Sequence, residues 1–329
     1  MKISDHNQKV LEKFATMMVT RMESMKVSQW KQGWLDANFS HGPVNIEGRS
    51  YNGFNRFFLL MHTSKMNFMY PIYATLKQLN RLGCHVNKGA KSMPIMFYER
   101  NIKDASGNEI EPNEFFAMSA DDQSAYHVQR ILRSYNVFNI AQTNFADKQE
   151  DKYKQLLSEF DDRSIPANDQ FMYVNESLDA MLHTQSWLCP IFVSKTKGAS
   201  YDPDGDKITV PVKSRFSLGA SDDDLYCAGM EYYATLIHEM IHSTGSPERL
   251  NRMKGDRFGD ALYAKEELIA ELGAALIGQE LGFRKRILDR NAAYLNGWIS
   301  SLKKNPKYIL SLMSDVDKAS RMILEKLAA

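Results

Sequence analysis

Cysteine is scarce in this chain. The 329 residues include only three, Cys84, Cys189 and Cys227, and they lie far apart. An odd number at this spacing predicts neither a disulfide framework nor a zinc site built on cysteine thiolates. Because disulfides persist mainly in oxidising compartments, we expect a protein of the reducing cytoplasm.

Long apolar runs are missing as well. No stretch approaches the roughly 18 consecutive apolar residues of a transmembrane helix, so we expect no membrane partner. Residues 1–10 are polar and mixed in charge, unlike a secretory signal peptide. No internal repeat or low-complexity tract is present. A chain of this length, with 43% hydrophobic residues, can form two modest cores, and we predict two domains.

The net charge of +1 conceals an uneven distribution. Residues 1–103 hold 15 Lys+Arg against 6 Asp+Glu, whereas residues 104–329 hold 26 against 34. A basic half joined to an acidic half is typical of proteins in which one half meets a polyanion. A solvated basic surface without a partner would explain the charge equally well.

The order of predicted elements indicates an α+β fold. Apolar periodicity predicts helices over residues 5–27, 55–64, 75–82, 148–160, 174–183, 228–244, 264–281 and 307–327. Strands are predicted over 93–100, 135–140, 190–194 and 207–210, with turns within 104–111 and 202–205. A polar stretch follows residue 143, and we place a domain boundary there, giving domains 1–145 and 146–329.

One helix carries a pattern typical of zinc peptidases, His238-Glu239-Met240-Ile241-His242. Residues four apart share a helix face, so both imidazoles can reach one ion. Glu239 lies one residue along and is predicted to be the catalytic base for a water that the metal activates. The pattern is short, and with 8 histidines it arises by chance in roughly one such chain per hundred. The alternative is a surface helix with two histidines, but the apolar residues around the motif favour a buried site.

A third ligand is predicted on the next helix, in the segment 266–271. Glu267 and Glu271 share one face of a largely apolar helix, where carboxylates need a compensating charge. We predict that Glu267 binds the metal and that Glu271 orients one histidine, with Glu266 as the alternative ligand. Two histidines and one glutamate leave an open position, which favours a catalytic metal over a structural one. Arg249 and Tyr263 are candidates for stabilising an oxyanion, although residues in such positions more often have structural roles. The predicted cofactor is zinc, or another divalent transition metal.

Longer motifs around this site resemble a known family. The run from Tyr233 to Arg252 and the run from Tyr263 to Leu272 closely resemble the zincin-like domain of the ArdC antirestriction family, which also occurs in polyvalent proteins of plasmids and phages. Residues 200–208 are similar to the edge strand of that domain. Ser243 departs from the family, in which the residue after the second histidine is often aromatic. The resemblance implies a zinc-dependent metallopeptidase of the gluzincin type, with an unknown protein or peptide substrate.

The N-terminal half resembles the single-stranded-DNA-binding domain of the same family. The similar segments are 43–45, 49–55, 77–78, 83–98 and 137–142. Tyr73 lies near a position at which the family commonly has tryptophan, and residues 101–130 resemble a local elaboration. The resemblance implies a mixed α/β DNA-binding domain followed by the peptidase domain. It also implies a protein that accompanies mobile DNA into a cell and protects it from restriction.

Single strands are typically held by basic grooves with aromatic platforms for the bases. The candidate DNA contacts are Trp34, Arg49, Tyr51, Asn52, Asn55, Arg56, Lys77, Gln78, Lys88 and Lys91. Any single aromatic residue is more often part of a core, whereas exposed cations such as Arg49, Lys88 and Lys91 are typical phosphate contacts. Two alternatives remain: a non-enzymatic DNA-masking protein with a structural metal, and a peptidase whose N-terminal half is a protein-binding adaptor.

Overall fold

A computed structural model describes residues 4–27, 34–35, 42–158, 160, 172–195, 197–217, 222–252, 261–282 and 295–328. These residues form two β-sheets, one in each half of the chain, with helices packed against them. The α+β class is therefore confirmed. None of the described helices is long and apolar enough to cross a membrane. All three cysteines are free thiols.

The first half contains a five-stranded sheet in the order β1-β2-β5-β3-β4. Its elements are α1 (Asp5–Val27), β1 (Val44–Asn45), α2 (Gly53–Lys65), β2 (Ile72–Thr75), α3 (Leu76–Arg81), β3 (Met93–Lys103), β4 (Glu109–Ile110), α4 (Pro112–Ala117), α5 (Ala120–Gln123) and β5 (His127–Asn139). Strands β1 and β2 are parallel, and the other neighbours are antiparallel. The long strands β3 and β5 form a two-stranded ribbon, which we call the β3–β5 ribbon.

The second half contains a three-stranded sheet in the order β6-β8-β7. Its elements are α6 (Phe145–Lys148), α7 (Glu150–Ser158), α8 (Glu176–Thr184), β6 (Ile191–Ser194), β7 (Ser200–Asp202), β8 (Lys207–Pro211), α9 (Asp222–Ser243), α10 (Ala261–Glu280), α11 (Leu295–Lys304) and α12 (Tyr308–Ala328). Helix α9 packs against α10, and α12 contacts both of them as well as α2.

The predicted helices and strands are all present, with several ends displaced. The strand predicted over 135–140 is only the end of β5, which begins at His127. The first half of β5 was not predicted, because it is exposed and polar and so lacks the alternation that marks a strand. The turn within 104–111 is the β3–β4 hairpin. Helix α11 was not predicted, although Leu295, Trp298 and Leu302 are buried at helical spacing.

The hydrophobic core crosses the predicted domain boundary. One cluster includes Phe14 and Phe58 from the first half together with Leu302 and Leu312 from the second. A smaller cluster under β1 and β2 includes Leu156 and Phe160, which belong to the second predicted domain. The boundary near residue 146 stays a prediction, and the packing of α6 and α7 on the first sheet favours a boundary after residue 160.

Gly229 provides a test of the packing that positions α9. A Cβ atom at Gly229 would lie 2.4 Å from the backbone nitrogen and 2.6 Å from the carbonyl oxygen of Tyr173. Overpacking of this kind costs about 1–3 kcal/mol, more than alanine gains through helix propensity. We expect Gly229→Ala to lower the free energy of unfolding by about 1–2 kcal/mol, measured by denaturant titration.

Gly297 in α11 is the matched control, because a Cβ atom there has nothing within 4 Å. Gly297→Ala should stabilise the protein by about 0.5–1 kcal/mol, the ordinary gain from replacing glycine in a helix. Equal effects of the two substitutions would contradict the close packing of α9 on Tyr173.

Candidate metal centre

Two buried helices bring together the side chains predicted to hold a metal. Helix α9 carries His238, Glu239 and His242, and α10 carries Glu267 and Glu271. All five are at most 7% exposed. The helices pack through apolar neighbours on both sides of these residues, so the polar side chains face each other within a buried interface.

His238, His242 and Glu267 converge on one point. Their ligand atoms all lie within 4.8 Å of one another. The Nε2 atoms of the two histidines are 3.1 Å apart, and the Glu267 carboxylate oxygens lie 3.5 Å from Nε2 of His238 and 3.6 Å from Nε2 of His242. Ligand atoms about 2.0–2.1 Å from one tetrahedral ion are about 3.3–3.4 Å apart. The three side chains therefore have the separations that such an ion requires.

The hydrogen bonding of these side chains also fits a cation. Glu267 Oε2 is buried and has no hydrogen-bond partner among the described residues. A buried carboxylate oxygen without a donor is costly, and a metal ion between the three ligand atoms would remove that cost. The donor set of two imidazoles and one carboxylate suits a divalent transition metal.

The second ring nitrogen of each histidine faces another carboxylate. His238 Nδ1 lies 3.8 Å from Glu271 Oε1, and His242 Nδ1 lies 3.6 Å from Glu266 Oε1. Carboxylates in these positions orient the imidazoles of metal sites. Glu271 thus lies beside His238, and Glu266 lies beside His242 but is not one of the three side chains whose ligand atoms converge.

Arg252 fixes the position of Glu266. Its Nε donates to Glu266 Oε2 at 3.0 Å and its Nη2 donates to Oε1 at 2.6 Å. The same guanidinium donates to Thr244 Oγ1 at 2.9 Å and to the Ile241 carbonyl at 3.0 Å, at the end of α9. The role of Arg252 was not predicted, because nothing in its spacing indicates a carboxylate partner on α10.

The charges of this group act on each other. Burial alone would raise the pKa of Glu266, but the neighbouring His242 and Arg252 side chains outweigh burial and lower that pKa. Burial would likewise lower the pKa of His242, but the Glu266, Glu267 and Glu239 carboxylates outweigh it and raise that pKa. The site is therefore strongly electronegative, as expected of a cation site.

The two oxyanion candidates lie in different surroundings. Arg249 donates from Nε to the Ser243 carbonyl at 2.6 Å, from Nη2 to the Tyr201 hydroxyl at 3.2 Å, and forms an ion pair with Asp206. These contacts connect the turn after α9 to the β7–β8 hairpin. They also occupy the guanidinium nitrogens of Arg249, so the structure does not support an oxyanion role for this residue. Tyr263 lies half-buried in the first turn of α10, one turn before the carboxylates, and its role stays a prediction.

Two of the predicted DNA contacts, Trp34 and Arg56, have surroundings that disfavour contact with DNA. Trp34 is 1% exposed and packs near Phe57, so its ring has no free face on which a base could stack. Arg56 donates to Gln279 Oε1 at 2.7 Å and pairs with Glu280, so its charge joins the two halves of the chain. Composition alone could not separate these residues from surface aromatics and cations.

Three other candidates have contacts within the fold. The Asn55 amide bonds to both backbone groups of Met96 on β3, at 2.7 and 2.8 Å. Gln78 completes the capping box at the start of α3 with Thr75. Tyr51 is half-buried, and burial followed by the charge of Glu47 raises its pKa to about 12.

The remaining candidates are exposed side chains in the first half of the chain. They are Arg49 and Asn52, which follow β1, Lys77 in α3, and Lys88 and Lys91 between α3 and β3. The structure leaves these side chains accessible, and their contacts with DNA stay predictions.

Comparisons with known families agree with both halves of the chain. Residues 8–138 match the family described as the N-terminal domain of anti-restriction factor ArdC. Residues 176–315 match the family described as zincin-like metallopeptidase, and this range contains all the residues of the candidate metal centre.

Whole-chain relatives are distant. The chain is 28% identical over 300 residues to a DNA primase TraC of Escherichia coli, covering 90% of this chain and 18% of that protein. A second Escherichia coli TraC is 25% identical over 319 residues, covering 95% and 27%. The chain thus spans under a third of the length of these relatives. The uncharacterized protein y4eC of Sinorhizobium fredii is 24% identical over 311 residues, covering 93% and 88%.

Solved structures show the same fold. The metal-free crystal structure of the antirestriction ArdC protein from plasmid R388 is 24% identical, with a TM-score of 0.66, and the match covers 99% of this chain and 98% of that one. The Mn(II)-bound structure of that protein is 23% identical, with a TM-score of 0.64, covering 95% and 98%. The chain is therefore an ArdC-like protein, in which the N-terminal domain of the ArdC family is followed by a zincin-like metallopeptidase domain.

Proposed function

We propose that this protein is an antirestriction-type protein of mobile DNA that binds single-stranded DNA without sequence preference and hydrolyses peptide bonds. The convergence of His238, His242 and Glu267 beside Glu239 carries the peptidase proposal. The name of the R388 relative, an antirestriction protein, supports the biological role. A protein that accompanies incoming DNA would act in the cytoplasm of the recipient cell.

A divalent metal at this group would act as a Lewis acid towards a water molecule and a peptide carbonyl. Glu239 supplies the proton transfers in this proposal. Its carboxylate takes a proton from the attacking water and passes it to the nitrogen of the departing amine. At 2% exposed, Glu239 lies in a site with little bulk water, which strengthens its electrostatic interactions with the reacting groups.

Zinc is the metal we propose, because two imidazoles and one carboxylate form a common catalytic zinc set. The Mn(II)-bound R388 relative supports binding of a divalent metal and keeps manganese as the alternative. Glu266 and Glu271 act in this proposal by holding the two imidazoles in the orientation that directs Nε2 towards the ion.

DNA binding is proposed for the exposed cations Arg49, Lys77, Lys88 and Lys91. They lie on the basic half of the chain and follow or flank β1, α3 and β3. Such side chains neutralise phosphates without reading sequence. This is the chemistry that a protein needs if it accompanies strands of arbitrary sequence.

Replacing Glu239 by glutamine separates metal binding from catalysis. We expect Glu239→Gln to retain its metal, measured by atomic spectroscopy, and to lose about 10²–10⁴-fold in peptide cleavage because the proton acceptor is gone. Cleavage is measured by mass spectrometry on a peptide library with full-length protein. His238→Ala is the control and should lose metal and cleavage together. Full cleavage by Glu239→Gln would reject the base role, whereas a metal-loaded wild type that cleaves nothing would favour DNA masking with a structural metal.

The neighbouring glutamates of α10 give a second test. Glu267→Gln should abolish metal binding, because Glu267 faces both Nε2 atoms. Glu266→Gln should weaken it by only about 10–100-fold, the usual effect of losing a group that orients a ligand. Affinities are measured by competition with a chelator. The reverse ranking would make Glu266 the ligand.

Salt dependence tests the DNA contacts. The double variant Lys88→Ala/Lys91→Ala should bind a labelled single-stranded oligonucleotide more weakly, and the slope of log K against log salt should fall by about 0.7 for each lost phosphate contact. Arg56→Gln is the control, since Arg56 pairs with Glu280, and it should lower thermal stability without changing the slope. If the wild type does not bind at low salt, the N-terminal half is an adaptor rather than a DNA-binding domain.

A further inference from the structure

A groove separate from the metal centre lies between the β3–β5 ribbon and α12. Its volume is about 730 Å³, within the roughly 300–1,000 Å³ of typical ligand pockets. The side chains of Tyr98, Arg100, Arg130 and Arg321 line it, together with Asp317. It therefore combines residues from both halves of the chain.

The wall formed by β3 is an open strand edge. Strand β4 pairs with β3 only at Ile102 and Lys103, and the Asn55 side chain occupies the backbone groups of Met96. Between these points, at Tyr98 and Arg100, no other strand pairs with this edge in the part of the chain that the structure describes. The groove is thus accessible along the edge of the ribbon.

Two arginines in the groove face each other without a counter-charge. Arg100 and Arg130 are direct cross-strand partners, and both are exposed. Like charges directly opposite each other destabilise an antiparallel pair. Neither guanidinium has a carboxylate within ion-pair distance among the described residues, and that of Arg100 lies 4.7 Å from the centre of the Phe116 ring.

The acidic residues of the groove have other partners. Glu99 pairs with Arg133 at 2.6 Å, and Asp317 pairs with Arg321 at 2.6 Å. Asp317 also lies against the start of α2, since a Cβ at Gly53 would be 2.8 Å from its Oδ1. A helix start favours a negative charge. The charges left without a partner are therefore the two facing arginines, which suit an anion bridging them.

An exposed aromatic ring adjoins these arginines. Tyr98 is 50% exposed and lies two residues before Arg100, on the same face of the ribbon. Paired guanidinium groups recognise phosphate, and an exposed ring beside them is a platform for a base. A carboxylate ligand would use the arginines but not the ring, so the combination favours a nucleotide over an acidic peptide.

We infer that this groove binds a nucleotide unit, with its phosphate between Arg100 and Arg130 and its base against Tyr98. The unit comes either from a free nucleoside triphosphate or from a single strand, and the second source rests on the proposed DNA binding of this protein. The site is distinct from the exposed cations near β1 and α3, because β2 and β5 separate β1 from β3 in the sheet. A strand in the groove would touch α12 as well as the ribbon.

The test uses full-length Arg130→Thr with two probes, a labelled single-stranded oligonucleotide and a labelled nucleoside triphosphate. We expect at least a tenfold loss of affinity for the probe that occupies the groove. Without any ligand, the same variant should have a higher Tm than the wild type, because the repulsion with Arg100 is gone. A merely structural arginine would not produce both changes.

Arg133→Thr is the matched control. Arg133 lies three residues along β5, on the opposite face, and already pairs with Glu99. Its replacement should leave both affinities unchanged and should not raise Tm. Tyr98→Ala should weaken binding severalfold, and Tyr98→Phe should restore it, because the ring rather than the hydroxyl supports the base.

The outcomes separate this site from the proposed function. Loss of oligonucleotide binding alone in Arg130→Thr supports a strand in the groove, and loss of triphosphate binding supports a free nucleotide. Unchanged binding of both probes overturns the groove while the DNA binding of the wild type stands. If the wild type binds neither probe, both proposals fail, and polyglutamate binding that requires Arg130 would assign the groove to an acidic peptide instead.

Discussion

Charge balance between α9 and α10 is the constraint on which the candidate metal centre depends. Glu239, Glu266, Glu267 and Glu271 are all at most 7% exposed. Buried carboxylates without compensating charge are strongly destabilising. Arg252 supplies one positive charge through its paired hydrogen bonds to Glu266. A divalent cation would supply two more and would leave a single negative charge, the one that a catalytic base requires.

This balance links the metal to the stability of the fold. The ligands come from two helices, so an ion held between them joins α9 to α10. Its binding free energy then adds to the free energy of unfolding, because the unfolded chain has no preformed site. Arg252 has a related effect, since it also bonds to the Ile241 carbonyl and the Thr244 hydroxyl and so fixes the end of α9 relative to α10.

The central part of the site could be predicted from sequence because helix geometry alone determines it. Residues four apart on a helix share a face, so His238 and His242 must converge. The choice between Glu266 and Glu267 depends on helical phase and on Arg252, which lies in a turn whose path the sequence does not specify. The DNA contacts were harder to predict for the same reason. Whether Trp34 and Arg56 reach solvent depends on their contacts with Phe57 and Glu280, which the sequence does not specify.

The shared core gives a physical reason for one chain to combine the two proposed activities. Helix α12 packs against α10, which carries Glu267, and against α2 of the first half, and it also forms one wall of the groove on the β3–β5 ribbon. A strand held by the first half would therefore lie at a fixed position relative to the peptidase site. Proteins bound to the same strand would then meet that site at a high effective concentration, of the order of millimolar for short tethers. Under this arrangement the DNA selects the peptide substrates by proximity, and the peptidase site itself requires little sequence specificity.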